Sequence, residues 1–272
     1  MQYPELKLDG LKALTDETGI LQHTKFSTID KREGYTTDDN ARALIAALRF
    51  HKIYNDPEAL NLAHIYLTFL LFMQTNRGIF HNVFGFERKY RDKMGSEDSN
   101  GRTIWATGYT LVSNATSEMK QIAREMFDKG LPRSRSFNAL RGKAFTLIGL
   151  ADYYSSFPDD TNILGDIEVL AGSLVSRYKM ETSPNWRWFE PYLSYCNARL
   201  CQALFMAYGA TENKSYLEVA EESLNFLTKN SSQKVCSSQW EQRAGTIEEG
   251  RRLSLTSSPS KPHAWLKQLS QR

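Results

Sequence analysis

The sequence predicts an all-α protein, built as an array of helical hairpins that closes into an (α/α) toroid. Three observations support this prediction. Apolar residues recur at helical spacing along most of the chain. Turns rich in proline, glycine and aspartate separate the predicted helices into consecutive pairs. Loops that carry acidic residues recur immediately before the first helix of a pair, and antiparallel pairs repeating every roughly 40–60 residues are typical of solenoids and toroids.

The predicted helices form four hairpins. In the first, a helix over residues 39–54 is followed by one over 57–74, with Pro57 at the first helical position, where proline is well tolerated. The other three hairpins are predicted over residues 100–113 and 116–129, 137–156 and 161–180, and 195–209 and 213–229. The N-terminal segment 6–14 also has helical spacing.

Three connecting segments carry predictions of their own. Residues 20–35 look extended and loop-like. Residues 79–93 alternate and are rich in aromatic side chains, which predicts a small two-stranded excursion. The tripeptide Gly130-Leu131-Pro132 predicts a turn between helices.

Composition and charge exclude several classes of protein. The chain has 272 residues, 41% hydrophobic and 24% charged, as is ordinary for a globular protein. The net charge of +3 arises in the tail, because residues 231–272 hold seven Lys or Arg against three Glu, which argues against nucleic-acid binding. There is no apolar run of membrane-spanning length and no signal-peptide pattern, so we predict a cytoplasmic protein without a membrane partner.

The cysteines give no sign of a metal site or a disulfide framework. There are three, at positions 196, 201 and 236, and their spacing matches no zinc motif. The sequence also lacks a glycine-rich phosphate loop and a recognisable Ser-His-Asp arrangement. We therefore predict neither a metal nor a cofactor.

Three related motifs carry the polar residues most suited to chemistry. The first is Gly34-Tyr-Thr-Thr-Asp-Asp-Asn-Ala-Arg42, and the second is Gly95-Ser-Glu-Asp-Ser-Asn-Gly-Arg102. The third begins Trp188-Phe-Glu-Pro-Tyr192 and reaches the triplet Asn197-Ala-Arg199. Because each motif enters the first helix of a hairpin, we expect its acids at one rim of the toroid: Asp38, Asp39, Glu97, Asp98 and Glu190.

These motifs resemble a six-hairpin glycosidase-like family, whose members occur alone or as the C-terminal domain of bacterial group 1 glycosyltransferases. Asp16-Glu-Thr-Gly-Ile-Leu-Gln-His23 is similar to the family's opening, and the resemblance covers about residues 5–235. It implies a bacterial (α/α) toroid involved in carbohydrate metabolism.

The C-terminal segment departs from that family. The family continues with a motif similar to F-V-D-Q-Q-P-I-E-A, whereas this chain ends in a segment with no clear helical face. We hypothesise that the reading frame slipped near residues 236–253. This predicts a toroid domain over residues 1–235, incomplete at its C-terminal end, and an atypical, disordered tail over 236–272. The nucleotide sequence tests it: a family-like peptide should be encoded in another frame.

Glycoside hydrolysis requires two carboxyl groups, one protonated and one ionised. We predict Asp39 and Asp98 as this pair, with Glu190 as an alternate. The predicted substrate-binding side chains surround them: Asp38, Glu97, Arg42, Arg102, Trp188, Tyr192, Asn197, Arg199 and His23. A structural alternative stays open, in which the acids cap helices and pair with the arginines while the aromatic residues pack in the core.

Two functions follow as expectations. In the first, the protein is a hydrolase that processes a mannose- or glucose-type glycan. In the second, it is a non-catalytic domain that binds the glycan acceptor for a partner glycosyltransferase. A protein-interaction array is a third possibility, although such arrays usually bind along one long face.

Overall fold

The computed structural model describes residues 6–234, and within them the chain is mostly helical. Its elements, in chain order, are α1 (Asp9–Leu14), β1 (Leu21–Lys25), β2 (Thr28–Thr36), α2 (Thr37–Tyr54), α3 (Pro57–Met73), β3 (Val83–Phe84), α4 (Glu97–Val112), α5 (Ser117–Ser134), α6 (Leu140–Tyr154), α7 (Thr161–Glu181), α8 (Asn197–Thr211) and α9 (Lys214–Lys234). Every predicted helix is present, with ends within five residues of the prediction. The predicted tail, 236–272, lies outside the described residues.

The chain divides into two compact units, residues 1–170 and the part from Ala171 onward, with the boundary inside α7. In the first unit, α2 and α3 form a tight hairpin. Asn55 ends α2 in the left-handed conformation, and the Asp56 carboxylate accepts the amide of Glu58 at 2.7 Å to cap α3. Pro57 occupies the first turn of α3, as predicted.

Helices α2, α4 and α6 pack side by side in the first unit, and glycines set the closest approach. A Cβ added to Gly101 would lie 2.4 Å from the Gly142 carbonyl oxygen, and one added to Gly108 would lie 2.5 Å from that of Gly149. Both pairs are seven residues apart on their own helices, so α4 and α6 run parallel with their backbones nearly in contact.

A small antiparallel sheet precedes and supports the start of α2. Strands β1 and β2 pair with each other, and β3 adds to β2 through Tyr35 opposite Phe84. Residues 20–35 are thus extended, as predicted, but they form two paired strands where a loop was expected. The small two-stranded excursion predicted over 79–93 is present, because Phe84 forms an antiparallel bridge with Tyr90 and the Arg91 amide donates to the Val83 carbonyl at 3.0 Å, although β3 also pairs with β2. Gly34, with a φ of +70°, lets β2 lie against the backbone of residues 84–86, which a side chain would obstruct.

The turn predicted at Gly130-Leu131-Pro132 does not form, because α5 continues to Ser134. Packing explains the difference. A Cβ on Gly78 would meet the Lys129 carbonyl oxygen at 2.0 Å, and one on Gly130 would meet Ile104 at 2.8 Å. Tertiary contacts thus hold this part of α5 helical, and Pro132 lies close enough to the helix end that it disturbs only the last turn.

In the second unit, α8 packs against α9 through buried contacts such as Cys201 Sγ to Ser223 Oγ, 3.3 Å apart. The loop before α8 contributes aromatic side chains to this core, because Trp186, Trp188 and Phe189 are all buried. Among residues 6–234, the structure has no helix long and apolar enough to cross a membrane.

Candidate functional site

The start of α2 is held by a reciprocal cap. The hydroxyl of Thr36 accepts the amide of Asp39 at 3.1 Å and donates to the Asp39 carboxylate at 2.6 Å. Arg42, one turn further along the helix, forms an ion pair with the same carboxylate. Asp39, predicted as one of the catalytic pair, thus has both a helix-capping contact and a cationic partner.

Asp38 lies between two arginines. Its carboxylate is 3.4 Å from Arg42 and forms an ion pair with Arg102, which projects from α4. The side chain of Arg102 is buried, and its guanidinium carbon lies 3.9 Å from the centre of the Phe145 ring. The arginine therefore connects α2, α4 and α6 at the end where these three helices begin.

The environment of Asp38 favours its protonated form. Burial raises the pKa of this carboxyl above its ordinary value, and the nearby charges of Asp39 and Asp98 act in the same direction. Arg102 and Arg42 oppose the effect on the pKa without overcoming it. Desolvation and neighbouring carboxylates are two common causes of a raised carboxyl pKa.

The start of α4 carries the other two acids. Ser96 caps this helix by accepting the amide of Ser99 at 3.2 Å. Glu97, predicted to bind substrate, reaches across to α6, where its carboxylate accepts the amides of Asn138 at 2.7 Å and Ala139 at 2.5 Å. Helix α6 has no side-chain cap of its own, so Glu97 supplies one. Asp98 is half-buried, and it lies close enough to Asp38 that its charge raises the pKa of the Asp38 carboxyl.

In each of the three motifs, the asparagine two positions before the arginine forms hydrogen bonds with backbone groups. The Asn40 side chain accepts the amide of Ile20 at 3.0 Å, and that of Asn100 accepts the amide of Phe80 at 2.9 Å. In the second unit, Asn197 accepts the amide of Ser194 at 3.2 Å and donates to its carbonyl at 3.1 Å. The motif asparagines thus fix the segments that enter α2, α4 and α8.

The loop of the second unit places its predicted site residues in different surroundings. The Trp188 ring is fully buried against Phe189 and Phe226, and its indole nitrogen is buried without a hydrogen-bond partner among the described residues. Glu190 is half-buried, and its backbone carbonyl accepts the indole N–H of Trp186 at 2.7 Å. The predicted rim role of Glu190, in a unit separate from Asp38, stays a prediction.

The remaining predicted residues are more open. Tyr192 is 40% exposed, so part of this residue is accessible to solvent. Arg199 is half-buried on α8 and donates to the side chain of Gln202. His23 lies half-buried on β1, opposite Asp30 of β2.

Asp152 on α6 was not identified from the sequence. Burial raises the pKa of its carboxyl, which accepts the indole N–H of Trp105 at 3.0 Å. A single aspartate in an otherwise apolar stretch of α6 was the available signal. In the part of the chain that the structure describes, no three His, Cys, Asp or Glu side chains are grouped so as to hold a metal.

Comparison with solved structures identifies the fold of the chain. No protein-family model matches the chain, and no curated protein matches its sequence. Solved structures do match. They include a D-mannose isomerase (TM-score 0.62, 12% identity, 78% of this chain) and the cellobiose 2-epimerase of Bacillus thermoamylovorans (TM-score 0.65, 13% identity, 80% of this chain). The chain has the six-hairpin glycosidase-like fold.

A glycoside hydrolase also shares this (α/α) toroid fold. The GH76 α-mannanase of Bacteroides thetaiotaomicron aligns with a TM-score of 0.52 and 15% identity over 71% of the chain. The chain spans 64% of the length of the mannose isomerase, 68% of the epimerase and 60% of the mannanase. The all-α toroid predicted from the sequence is thus confirmed, and at these identities the comparisons establish fold alone.

Proposed function

We propose that the chain binds and processes a carbohydrate where α2 and α4 begin, with hydrolysis of a glycosidic bond as the leading reaction. The observation that carries the proposal is Asp38, a carboxyl with a raised pKa beside two other aspartates. Hydrolysis of this kind uses one carboxyl as a proton donor and another in ionised form. Neighbours of the same fold include a sugar isomerase, a sugar epimerase and a mannanase, which supports a sugar as the substrate class.

The contacts suggest a division of roles among the acids. Asp38 is the proton donor in this proposal, because burial raises the pKa of its carboxyl, and Asp98 is the second carboxyl. Asp39, already engaged by Thr36 and Arg42, helps to orient the loop. Arg102 positions Asp38. Glu190 and Tyr192 belong to the second unit, and their roles as an alternate carboxylate and a sugar-binding ring stay predictions from the sequence.

The second candidate is a non-catalytic glycan-binding domain that serves a glycosyltransferase in the cytoplasm. The ion pairs of Asp38 and Asp39 with arginines favour it, because acids at the start of a helix can stabilise the helix without taking part in catalysis. In this alternative the same surface holds a glycan without turning it over.

The experiment compares Asp38→Asn and Asp98→Asn with the unmodified protein on mannose- and glucose-based oligosaccharides. Release of reducing ends reports hydrolysis, chromatography of the sugar products reports isomerisation, and calorimetry reports binding. Asp128→Asn is the matched control, because this carboxylate is exposed on α5.

A hydrolase loses reducing-end release in both site variants, by about 100-fold or more for loss of an acid or base, and still binds. Binding by all four proteins without any product identifies the auxiliary domain. If the unmodified protein neither turns over nor binds any of these sugars, the proposal is wrong.

A further inference from the structure

Helices α2, α4 and α6 carry two layers of polar and aromatic side chains, at positions seven residues apart on every helix. The first layer consists of Arg42, Arg102 and Phe145, and the second layer consists of Arg49, Tyr109 and Asp152. Because seven residues are close to two helical turns, both layers lie on the same face of each helix, about 10 Å apart along it. The arginines of the first layer contact the Asp38 carboxylate, whereas the second layer has no part in the proposed reaction.

The contacts of the second layer join its side chains into one cluster. The guanidinium carbon of Arg49 lies 5.1 Å from the centre of the Tyr109 ring and 6.0 Å from that of the Trp105 ring. The Trp105 indole in turn donates to Asp152 Oδ2 at 3.0 Å. Burial raises the pKa of the Asp152 carboxyl, and the nearby charge of Arg49 acts against that increase. The cluster thus combines two aromatic rings with one cation and one carboxyl group.

Much of the hydrogen-bonding capacity of this cluster is unused within residues 6–234. The Arg49 guanidinium carries five N–H donors, and none of them bonds to a described residue; the same holds for the Tyr109 hydroxyl and for Asp152 Oδ1. Arg124 provides the contrast, because it also lies over aromatic rings but donates to the Tyr153 hydroxyl at 3.0 Å. Arg49 is exposed, and Tyr109 and Asp152 are partly exposed, so a ligand can reach all three.

The charges of the cluster favour an uncharged ligand that is rich in hydroxyl groups. An ionised Asp152 repels an anion, and Arg49 repels a cation. A sugar ring satisfies both side chains, because its hydroxyl groups donate to the carboxyl and accept from the guanidinium while its C–H groups pack against an aromatic ring. We propose that the second layer binds one sugar ring of the glycan that reacts at the first layer, an inference that rests on the proposed function.

This arrangement makes the substrate an oligosaccharide that lies along the three helices. A single sugar ring is too short to contact two layers that are about 10 Å apart. On α2, the residue between the two layers on the same face is Ala46, which is exposed. Its small side chain leaves room for the glycan to pass from Arg42 to Arg49.

The test is calorimetry of the unmodified protein with mannose- and glucose-based sugars, from monosaccharide to hexasaccharide. The glycosidic oxygens are replaced by sulfur so that the sugars resist hydrolysis. The affinity should rise once the sugar is long enough to contact both layers. Arg49→Ala should lower the affinity for the longest sugar about tenfold, as expected for the loss of hydrogen bonds to a charged group, and should leave the affinity for the shortest bound sugar unchanged.

A second variant and a control guard against an effect on folding. Tyr109→Phe keeps the ring beneath Arg49 and removes only the hydroxyl, so it should fold normally and still lose part of the gain in affinity with sugar length. Arg124→Ala is the matched control, because it also removes an arginine from aromatic rings. It should bind every sugar as the unmodified protein does, and thermal unfolding verifies that each variant is folded.

Two contrary results have different meanings. If affinity does not rise with sugar length, or rises equally in Arg49→Ala and Tyr109→Phe, the second layer is not a sugar subsite, although the proposed function stands. If the unmodified protein binds none of the sugars, both the subsite and the proposed function are wrong.

Discussion

Asn40 and Asn100 hold the chain in the same way at two different places. Each side-chain oxygen accepts a backbone amide twenty positions earlier in the sequence, at Ile20 and at Phe80. Each side-chain nitrogen donates to the carbonyl of the capping residue, Thr36 at 2.8 Å and Ser96 at 2.9 Å. The repeated motif therefore encodes a structural contact beside the acids, in which the asparagine anchors an earlier segment of the chain to the start of the helix.

Replacing Asn100 by alanine should destabilise the protein markedly. The substitution leaves the buried Phe80 amide without its acceptor, which typically costs about 1–3 kcal/mol, whereas the Ser96 carbonyl keeps the Asn100 amide and the Ser99 hydroxyl as donors. Chemical denaturation measures the loss. Asn61→Ala is the control, because Asn61 lies on the exposed side of α3 and alanine favours helix there. Equal stability of the two variants would contradict the clamp.

The prediction for Glu97 separates helix capping from substrate binding. Glu97→Ala removes the acceptor of the Asn138 and Ala139 amides, and loss of a helix cap costs about 0.5–2 kcal/mol. Glu97→Gln keeps an acceptor oxygen and should retain most of the stability. Thermal unfolding of both variants gives the comparison. If the two variants unfold alike at the temperature of the unmodified protein while sugar binding is lost, Glu97 is a ligand contact and not a cap.

The sequence predicted the helices and the hairpin order well, because caps, prolines and apolar spacing are local signals. It could not predict the partner of β3, since the approach of residues 84–86 to Gly34 is a tertiary contact. Nor could it separate Asp38 from Asp39. The two are adjacent and of the same residue type, and the ion pair of Asp38 with the arginine of α4 and the burial that raises the pKa of its carboxyl are both tertiary effects.

Gly108→Ala tests the contact between α4 and α6. The new methyl group would lie 2.5 Å from the Gly149 carbonyl oxygen, and the backbones must separate to admit it, at a cost of about 1–3 kcal/mol for an overpacked core site. Gly209→Ala is the control, because a Cβ there meets nothing within 4 Å; it should stabilise α8 by about 0.5–1 kcal/mol, as alanine does in place of a helical glycine. Opposite signs for the two variants are the expected result in urea unfolding.

The pH dependence of stability should reveal Asp38. Its carboxyl has an ordinary pKa of 3.8, and burial raises the pKa in the folded protein. As the pH rises above 3.8, the unfolded chain loses this proton before the folded protein does, so the folded state becomes relatively less stable until the folded carboxyl has also ionised. Asp38→Asn removes the titration. The difference in unfolding free energy between the unmodified protein and the variant should therefore shift in favour of the variant as the pH rises from 3.8 towards neutrality.

The charge on Arg102 is the same in both proteins at the start of that comparison. At low pH the Asp38 carboxyl of the unmodified protein is also protonated, so the buried Arg102 guanidinium lacks an ionised partner in either protein, and the starting difference reflects only the exchange of a carboxyl for an amide. Only the slope with pH therefore reports the Asp38 carboxyl. Urea unfolding at several values between pH 3.5 and about 7, with Asp128→Asn at the exposed carboxylate as the reference, measures it. A flat difference across this range would mean that Asp38 is ionised in the folded state as readily as in the unfolded chain, and its role as proton donor would then be untenable.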